Sequence, residues 1–230
     1  MLNIIKNISV YSFGNILLTG ISFILLPLYT RILSPSDYGQ LELLYLIAGI
    51  LVIIFGFNIS LGYNRIYFSD KKIKSRRTLF MTGQAFSLLC SALCVLILFT
   101  NIDYLSKIVL DFEHGNYFLK LITITTIIDV LCQIPMSNLR VRNKVWPYVQ
   151  VSILTFVVTV SFTIYFIVFI DLGVTGVLYG KILGSLFSLI YLYYLTWDEF
   201  HFRVSNGMLL SMLSFSIFLI PSNLSSLILN

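Results

Sequence analysis

Apolar residues along this chain gather into seven long runs, at about 10–33, 41–68, 79–100, 117–139, 147–170, 174–196 and 209–229. A helix needs about 20 apolar residues to cross the hydrocarbon core of a bilayer, and every run reaches that length. None shows the ten-residue alternation of a membrane β-barrel strand. Within a bilayer the backbone must satisfy its own polar groups, so the runs predict helices. The expected fold class is all-α membrane, a polytopic helical bundle.

The polar residues inside the runs are spaced as helix faces. In run four, Thr126, Asp129, Gln133, Ser137 and Arg140 follow one another at intervals of three or four, which puts all five on one face. Pro135 lies within this stripe and should kink the helix and free a carbonyl. Run five answers with Ser152, Thr155, Thr159 and Thr163, and run one offers Ser12, Asn15, Thr19 and Ser22. Run two, read as one helix, carries Glu42, Gly49, Gly56 and Ser60 on one face and Asn58, Gly62 and Arg65 on another. Gly173, Gly176, Gly180 and Gly184 form a small-residue series on run six that allows close helix approach. Lys181 among them either snorkels outward or meets a carboxylate inside.

Composition agrees with the pattern. The chain is 58% hydrophobic, 15% aromatic and 11% charged, far from the balance of a soluble domain. Its net charge of +5 is distributed unevenly. Lys6, Arg65, Lys71, Lys72, Lys74, Arg76, Arg77, Arg140, Arg142, Lys144 and Arg203 fall on one side of the runs, and Arg31, Lys107, Lys120 and Lys181 on the other. The positive-inside bias therefore predicts a cytoplasmic N-terminus. The basic clusters sit in very short loops, which suits anionic headgroups of membrane lipids and argues against nucleic acid.

Run one is too long for a signal peptide and has no small-residue cleavage site, so it is expected to remain as the first helix. Cys90, Cys94 and Cys132 all fall inside runs and read as packing residues, giving neither a disulfide framework nor a metal set. His114 and His201 lie near loops, and no HExxH, Walker A or GxSxG motif is present. No catalytic residue, metal or cofactor is expected, and movement of a cargo would draw on an ion, substrate or voltage gradient. The longest hydrophilic connection, 101–116, contains IDYLSKIVLDF, a short interfacial helix by pattern. Short connections elsewhere predict one compact six-helix bundle plus a seventh helix.

Four segments carry a family resemblance. YTRILSPSDYG (29–39) joins runs one and two, and GFNISLGYNRIYFSD (56–70) is a Gly-rich helix end bearing an arginine. LGVTGVLYGKILGSL (172–186) is a Gly-spaced sixth helix, and SFSIFLIPSNLSSL (214–227) is like the start of a second half. In order and spacing these resemble the bacterial polysaccharide (O-antigen type) flippases of the multidrug/oligosaccharidyl-lipid/polysaccharide exporter superfamily. The resemblance implies the N-terminal lobe of a two-lobe exporter over 1–200, then a linker and the first helix of a truncated second lobe over 201–230. It implies flipping of an undecaprenyl-diphosphate-linked oligosaccharide to the outer leaflet, in a multi-pass protein of the bacterial inner membrane that serves O-antigen, lipopolysaccharide or capsule synthesis. Partners would be the lipid-linked oligosaccharide, membrane lipids, a polysaccharide polymerase and a chain-length regulator.

Candidate site residues follow from this combination. Guanidinium groups bind phosphate bidentately and stay charged, so Arg65 and Arg31 are candidate pyrophosphate contacts, with Asn58 beside them in the cavity. Each arginine equally suits an interface anchor. Asp129, with Asn15, Thr155 and Thr159, is the candidate set for a proton or sodium ion, because oxygen ligands favour small hard cations. The alternative for Asp129 is interhelical glue. Asp37 is a candidate outer gate, or else a turn cap in Ser-Pro-Ser-Asp. Two rival functions remain open: a membrane enzyme of polysaccharide assembly, such as a polymerase or acyltransferase, and an inactive truncated half-transporter.

Overall fold

The computed structural model describes residues 20, 24–69, 76–110 and 114–229. A first helix, α1, is described over 24–32. Most of run one, including Ser12, Asn15, Thr19 and Ser22, lies outside the described residues. There follow α2 (Pro35–Gly56), α3 (Ile59–Ser69), α4 (Arg76–Thr100), α5 (Ile102–Val109) and α6 (Gly115–Val141). The chain continues through α7 (Val145–Ile164), which ends in a π-helical turn Tyr165–Phe169, and α8 (Gly173–Leu195). It closes with α9 (Asn206–Ser216), a 3₁₀ turn Ile217–Leu219 and α10 (Ile220–Leu229). Six helical segments among the described residues are long and apolar enough to cross a membrane: Pro35–Gly56, Arg76–Thr100, Gly115–Val141, Val145–Phe169, Gly173–Leu195 and Asn206–Leu227. The protein is an all-α, multi-pass membrane protein, as the hydrophobic runs predict.

Run two differs from expectation. Its helix starts earlier, because Ser34-Pro35-Ser36-Asp37 is the first turn of α2. The Ser34 hydroxyl accepts from the Asp37 amide at 3.1 Å, and the Asp37 carboxylate accepts from the Ser34 amide and hydroxyl. This reciprocal cap, with Pro35 at the first helical position, satisfies donors that a helix start leaves open. The run then breaks into two helices at Phe57 and Asn58, both at φ 50°. Two close approaches flank the break. Gly56 abuts the Gln133 side chain on α6, and Gly62 abuts the Met212 backbone on α9. The Ser216 hydroxyl of α9 spans the interruption, donating to the Asn58 carbonyl at 3.1 Å and accepting from the Gly62 amide at 3.1 Å. Ser60, Gly62 and Arg65 therefore belong to a different helix from Glu42, Gly49 and Gly56, and the continuous faces expected across the run do not form.

Other left-handed residues mark helix boundaries: His114 before α6, Asn143 before α7, Asp171 before α8 and Gly173 at its first position. Short polar side chains tolerate that conformation better than most. Gly173 thus serves the turn, where nothing lies within 4 Å of its Cβ position, and does not join the packing series expected of it. Gly176 meets Phe166, Gly180 meets Thr163 and Gly184 meets Thr159, so α7 and α8 pack through backbone contact. IDYLSKIV forms α5 as expected, with Tyr104 and Ile108 exposed.

The alternation of helices gathers Arg76, Arg77, Arg140, Arg142, Lys144 and Arg203 at one end of the bundle. At the opposite end an apolar core joins α1, α2, α6 and α8 through Leu25, Leu41, Leu44, Ile122 and Leu178. A second core near the basic end joins α3, α4, α6 and α9 through Ile59, Tyr63, Phe80, Ile134 and Met212. Helix α9 is therefore docked on α3 and α4, where Met212 is fully buried, and α10 lies against α2.

Substituting Gly184→Val forces a side chain into Thr159 and should cost about 1–3 kcal/mol. Gly39→Ala, whose Cβ position is open, should be near neutral. Thermal unfolding of the purified protein in detergent compares the two.

Candidate functional site in the bundle interior

Three helices build a polar seam where an all-apolar interior would pack more simply. From α6, the Asp129 carboxylate accepts a hydrogen bond from the Ser185 hydroxyl of α8 at 2.9 Å. Lys181 lies one turn earlier on the same face of α8, near Asp129 but with no ion pair between them within 4 Å. Its ammonium also lies 4.7 Å from the centre of the Tyr45 ring on α2, with Tyr29 of α1 nearby. Ser188, further along α8, lies near Cys132. Of the two fates considered for Lys181, the structure shows it turned onto Tyr45, without an ion pair to a carboxylate within 4 Å. A charged residue inside a bilayer is costly unless paired, which makes this seam the leading functional candidate.

The freed carbonyl also has a partner. Pro135 leaves the Leu131 carbonyl without its helical donor. Gln84 of α4, 1% exposed, supplies one through its side-chain amide at 3.3 Å and also bonds the Tyr193 hydroxyl of α8 at 2.5 Å. Toward the basic end, the Tyr63 hydroxyl donates to Asn138 at 2.8 Å, and Arg76 donates to the Tyr67 hydroxyl at 2.9 Å. Arg142 forms an ion pair with Glu199, in which Nη2 to Oε2 measures 2.7 Å. Several buried polar atoms keep unused hydrogen-bonding capacity, both toward the basic end (Asn58 Nδ2, Asn64 Oδ1, Gln133 Oε1 and Asn138 Nδ2) and elsewhere in the interior, as at Ser91 and Thr126. Replacing Gln84 with Leu strands the Leu131 carbonyl and should cost about 1–3 kcal/mol, measured by thermal unfolding. The cost should shrink in a Pro135→Ala background, where the helix supplies the donor itself.

The structure separates several residues that the spacing had grouped. Thr155 donates to the Val151 carbonyl at 2.8 Å, and Thr159 lies against Gly184. Run five therefore answers α8 instead of run four. Gly184 and Ser185 are about 100° apart around α8, so Thr159 and Asp129 address different faces of it. Asn15 lies outside the described residues. Arg65 is exposed near the basic end, its guanidinium 4.4 Å over the Phe215 ring of α9. Arg31 is exposed at the other end, close to the end of α1. Asn58 is 9% exposed within the α2–α3 break. Asp37, besides capping α2, lines a cavity of about 350 Å³ with Gln40, His114, Asp171 and Thr175. No group of three or more His, Cys, Asp or Glu side chains able to hold a metal occurs among the described residues.

Tyr45, Gln84, Ser185, Ser216 and the Arg142–Glu199 pair are absent from the sequence-based set. Ser185 and Ser188 follow Lys181 at helical spacing, a signal present in the sequence. Gln84 is a lone carboxamide in an apolar run. Tyr45, Ser216 and Glu199 carry no local signal, because their partners lie on distant helices.

Comparison with known proteins matches this arrangement. Over residues 28–230 the chain fits the family model described as polysaccharide biosynthesis protein. No curated protein matches it in sequence. Among solved structures, 96% of the chain superposes on a multidrug/oligosaccharidyl-lipid/polysaccharide (MOP) superfamily transporter from Pyrococcus furiosus, described as having a binding pocket of reversed polarity. The TM-score is 0.74 at 16% identity, and 53% of that chain is covered. A multidrug resistance transporter of the same superfamily, solved in an outward-facing conformation, gives a TM-score of 0.75 at 16% identity, also over 96% of this chain and 53% of its own. The chain thus spans about half the length of these structures and has the fold of that half. It belongs to the polysaccharide biosynthesis protein family, within the fold of MOP superfamily transporters.

Proposed function

We propose that this chain is the N-terminal lobe of an exporter that flips undecaprenyl-diphosphate-linked oligosaccharide from the cytoplasmic to the outer leaflet of the bacterial inner membrane, for O-antigen, lipopolysaccharide or capsule synthesis. The observation that carries the reading is an ionisable seam, Asp129 with Lys181 and Ser185, inside a bundle of polysaccharide-family sequence and transporter fold. An ionisable side chain inside a membrane bundle is costly to desolvate and marks a functional site by default.

In this reading the lobe rocks against a second lobe, and the lipid tail stays in the bilayer. Arg65, exposed at the basic end and lightly held by an aromatic ring, is free to take a phosphate, for which its planar fork is suited. Arg31, at the opposite end, would meet the same group on release. Asn58 supplies a neutral contact between them, and Asp37 closes the outer side. Asp129 carries the coupling ion, a proton or sodium, and no further cofactor is required. The protein is not an enzyme in this reading, and a polysaccharide polymerase and a chain-length regulator would receive its cargo.

The test is transport of a labelled undecaprenyl-diphosphate sugar by the full-length protein in liposomes. Asp129→Asn should abolish gradient-driven transport, and Arg65→Ala should weaken apparent cargo affinity by about tenfold. Unchanged transport in Asp129→Asn removes the coupling role. Sugar polymerisation without transport would instead favour the enzyme.

A further inference from the structure

Helix α8 runs into a short 3₁₀ turn, Trp197–Glu199, whose side chains go two ways. Glu199 turns inward, 4% exposed, and forms the ion pair with Arg142. Trp197 and Asp198 stay exposed, as does Tyr194 in the last turn of α8. With Leu195 these three line a cavity of about 540 Å³ where the span ends. Its walls are braced from behind. The Trp197 ring lies 6.2 Å from that of Phe200, which packs in turn on Phe80 and Tyr193 at 5.3 Å each. The Tyr194 ring stacks on Tyr191 at 6.4 Å, and the Tyr191 hydroxyl donates to Gln150 of α7 at 3.3 Å. The turn is tied down by the Arg142–Glu199 pair and by the Thr196 hydroxyl, which donates to the Leu192 carbonyl at 2.7 Å. Two rings and a carboxylate are thus presented on a fixed turn.

Charge sets this place apart from the rest of the basic end. The basic residues gathered there suit anionic headgroups. Asp198 is exposed, and its side chain has no ion pair or hydrogen bond among the described residues. A free carboxylate repels an anionic headgroup and attracts a cation. The faces of Trp and Tyr rings attract cations too, most strongly when water is partly excluded. A carboxylate beside two such rings is therefore complementary to an ammonium group, whose N–H the carboxylate can accept. Trp and Tyr at the end of a membrane span lie at headgroup level, so a lipid is placed to supply that ammonium. The lipid's phosphate suits Lys144 and Arg203, both exposed at the same end of the bundle.

We propose that Tyr194, Trp197 and Asp198 form a binding site for the primary ammonium of a phospholipid headgroup, in the leaflet at the basic end of the bundle. By the positive-inside bias that leaflet is the cytoplasmic one. The ammonium sits against the two rings and donates to the Asp198 carboxylate. The site is independent of any cargo and of Asp129, so it stands or falls apart from the flippase reading.

The test places the full-length protein in nanodiscs made from equal parts of phosphatidylethanolamine, phosphatidylcholine and phosphatidylglycerol. Native mass spectrometry then counts the lipids that stay bound on release. Phosphatidylethanolamine should be retained over the other two, because only its headgroup offers an ammonium with N–H donors. Asp198→Asn should lower its ratio to phosphatidylglycerol by about tenfold, and Asp198→Glu should restore most of it. Trp197→Ala should lower the same ratio by about threefold. Equal retention of the three lipids, as a plain aromatic belt would give, overturns the proposal. So does phosphatidylcholine held as well as phosphatidylethanolamine, or an unchanged ratio in Asp198→Asn.

Discussion

A bilayer core offers no water to a polar group, so any polar atom inside it must find its partner in the protein. Much of this bundle is arranged around that requirement. Pro135 removes one helical bond, and Gln84 arrives from α4 to fill it while also holding Tyr193 of α8. The break between α2 and α3 exposes a carbonyl and an amide, and the single hydroxyl of Ser216 meets both. Asp129 would be the most expensive group in the interior, and α8 turns Ser185 toward it, with Lys181 nearby. Each repair crosses between helices, so satisfying polar groups also fixes how the helices sit.

The same helices are drawn together by absence of bulk. Lipid tails are as apolar as leucine, so helix association in a membrane relies on close packing and hydrogen bonds more than on escape from water. Gly176, Gly180 and Gly184 let α8 lie on the side chains of α7, and Gly62 lets α3 lie on the backbone of α9. The α7–α8 pair becomes a rigid wall whose other face carries Lys181 and Ser185. Packing and chemistry therefore use adjacent faces of one helix. This is why the threonines of α7, which share a face by spacing, serve the wall and do not join Asp129.

The polysaccharide family and the transporter fold place this seam inside a membrane-spanning helical bundle. A rigid wall, a broken helix and one interior carboxylate form a sensible division of labour. The wall holds Lys181 in register, the break brings polar backbone and carboxamides near the basic end, and the carboxylate lies between them.

The sequence by itself determined the fold class, the helical runs, the basic end and the stripe that contains Asp129. These depend on local composition and on a period of 3.6 residues, which any helix expresses wherever it is placed. It also marked Pro135 as a disturbance and Gly176–Gly180–Gly184 as a contact ridge. Tertiary structure alone decided what those features meet. Nothing near Pro135 names Gln84, 51 positions earlier in the chain. No periodicity announces that run two breaks at Phe57 and Asn58, since that break reflects simultaneous close approach to α6 and α9. Lys181 reads equally well as a snorkelling or an inward residue until α2 and α6 are placed beside it. Helical periodicity specifies which residues share a face, and only packing specifies what that face touches.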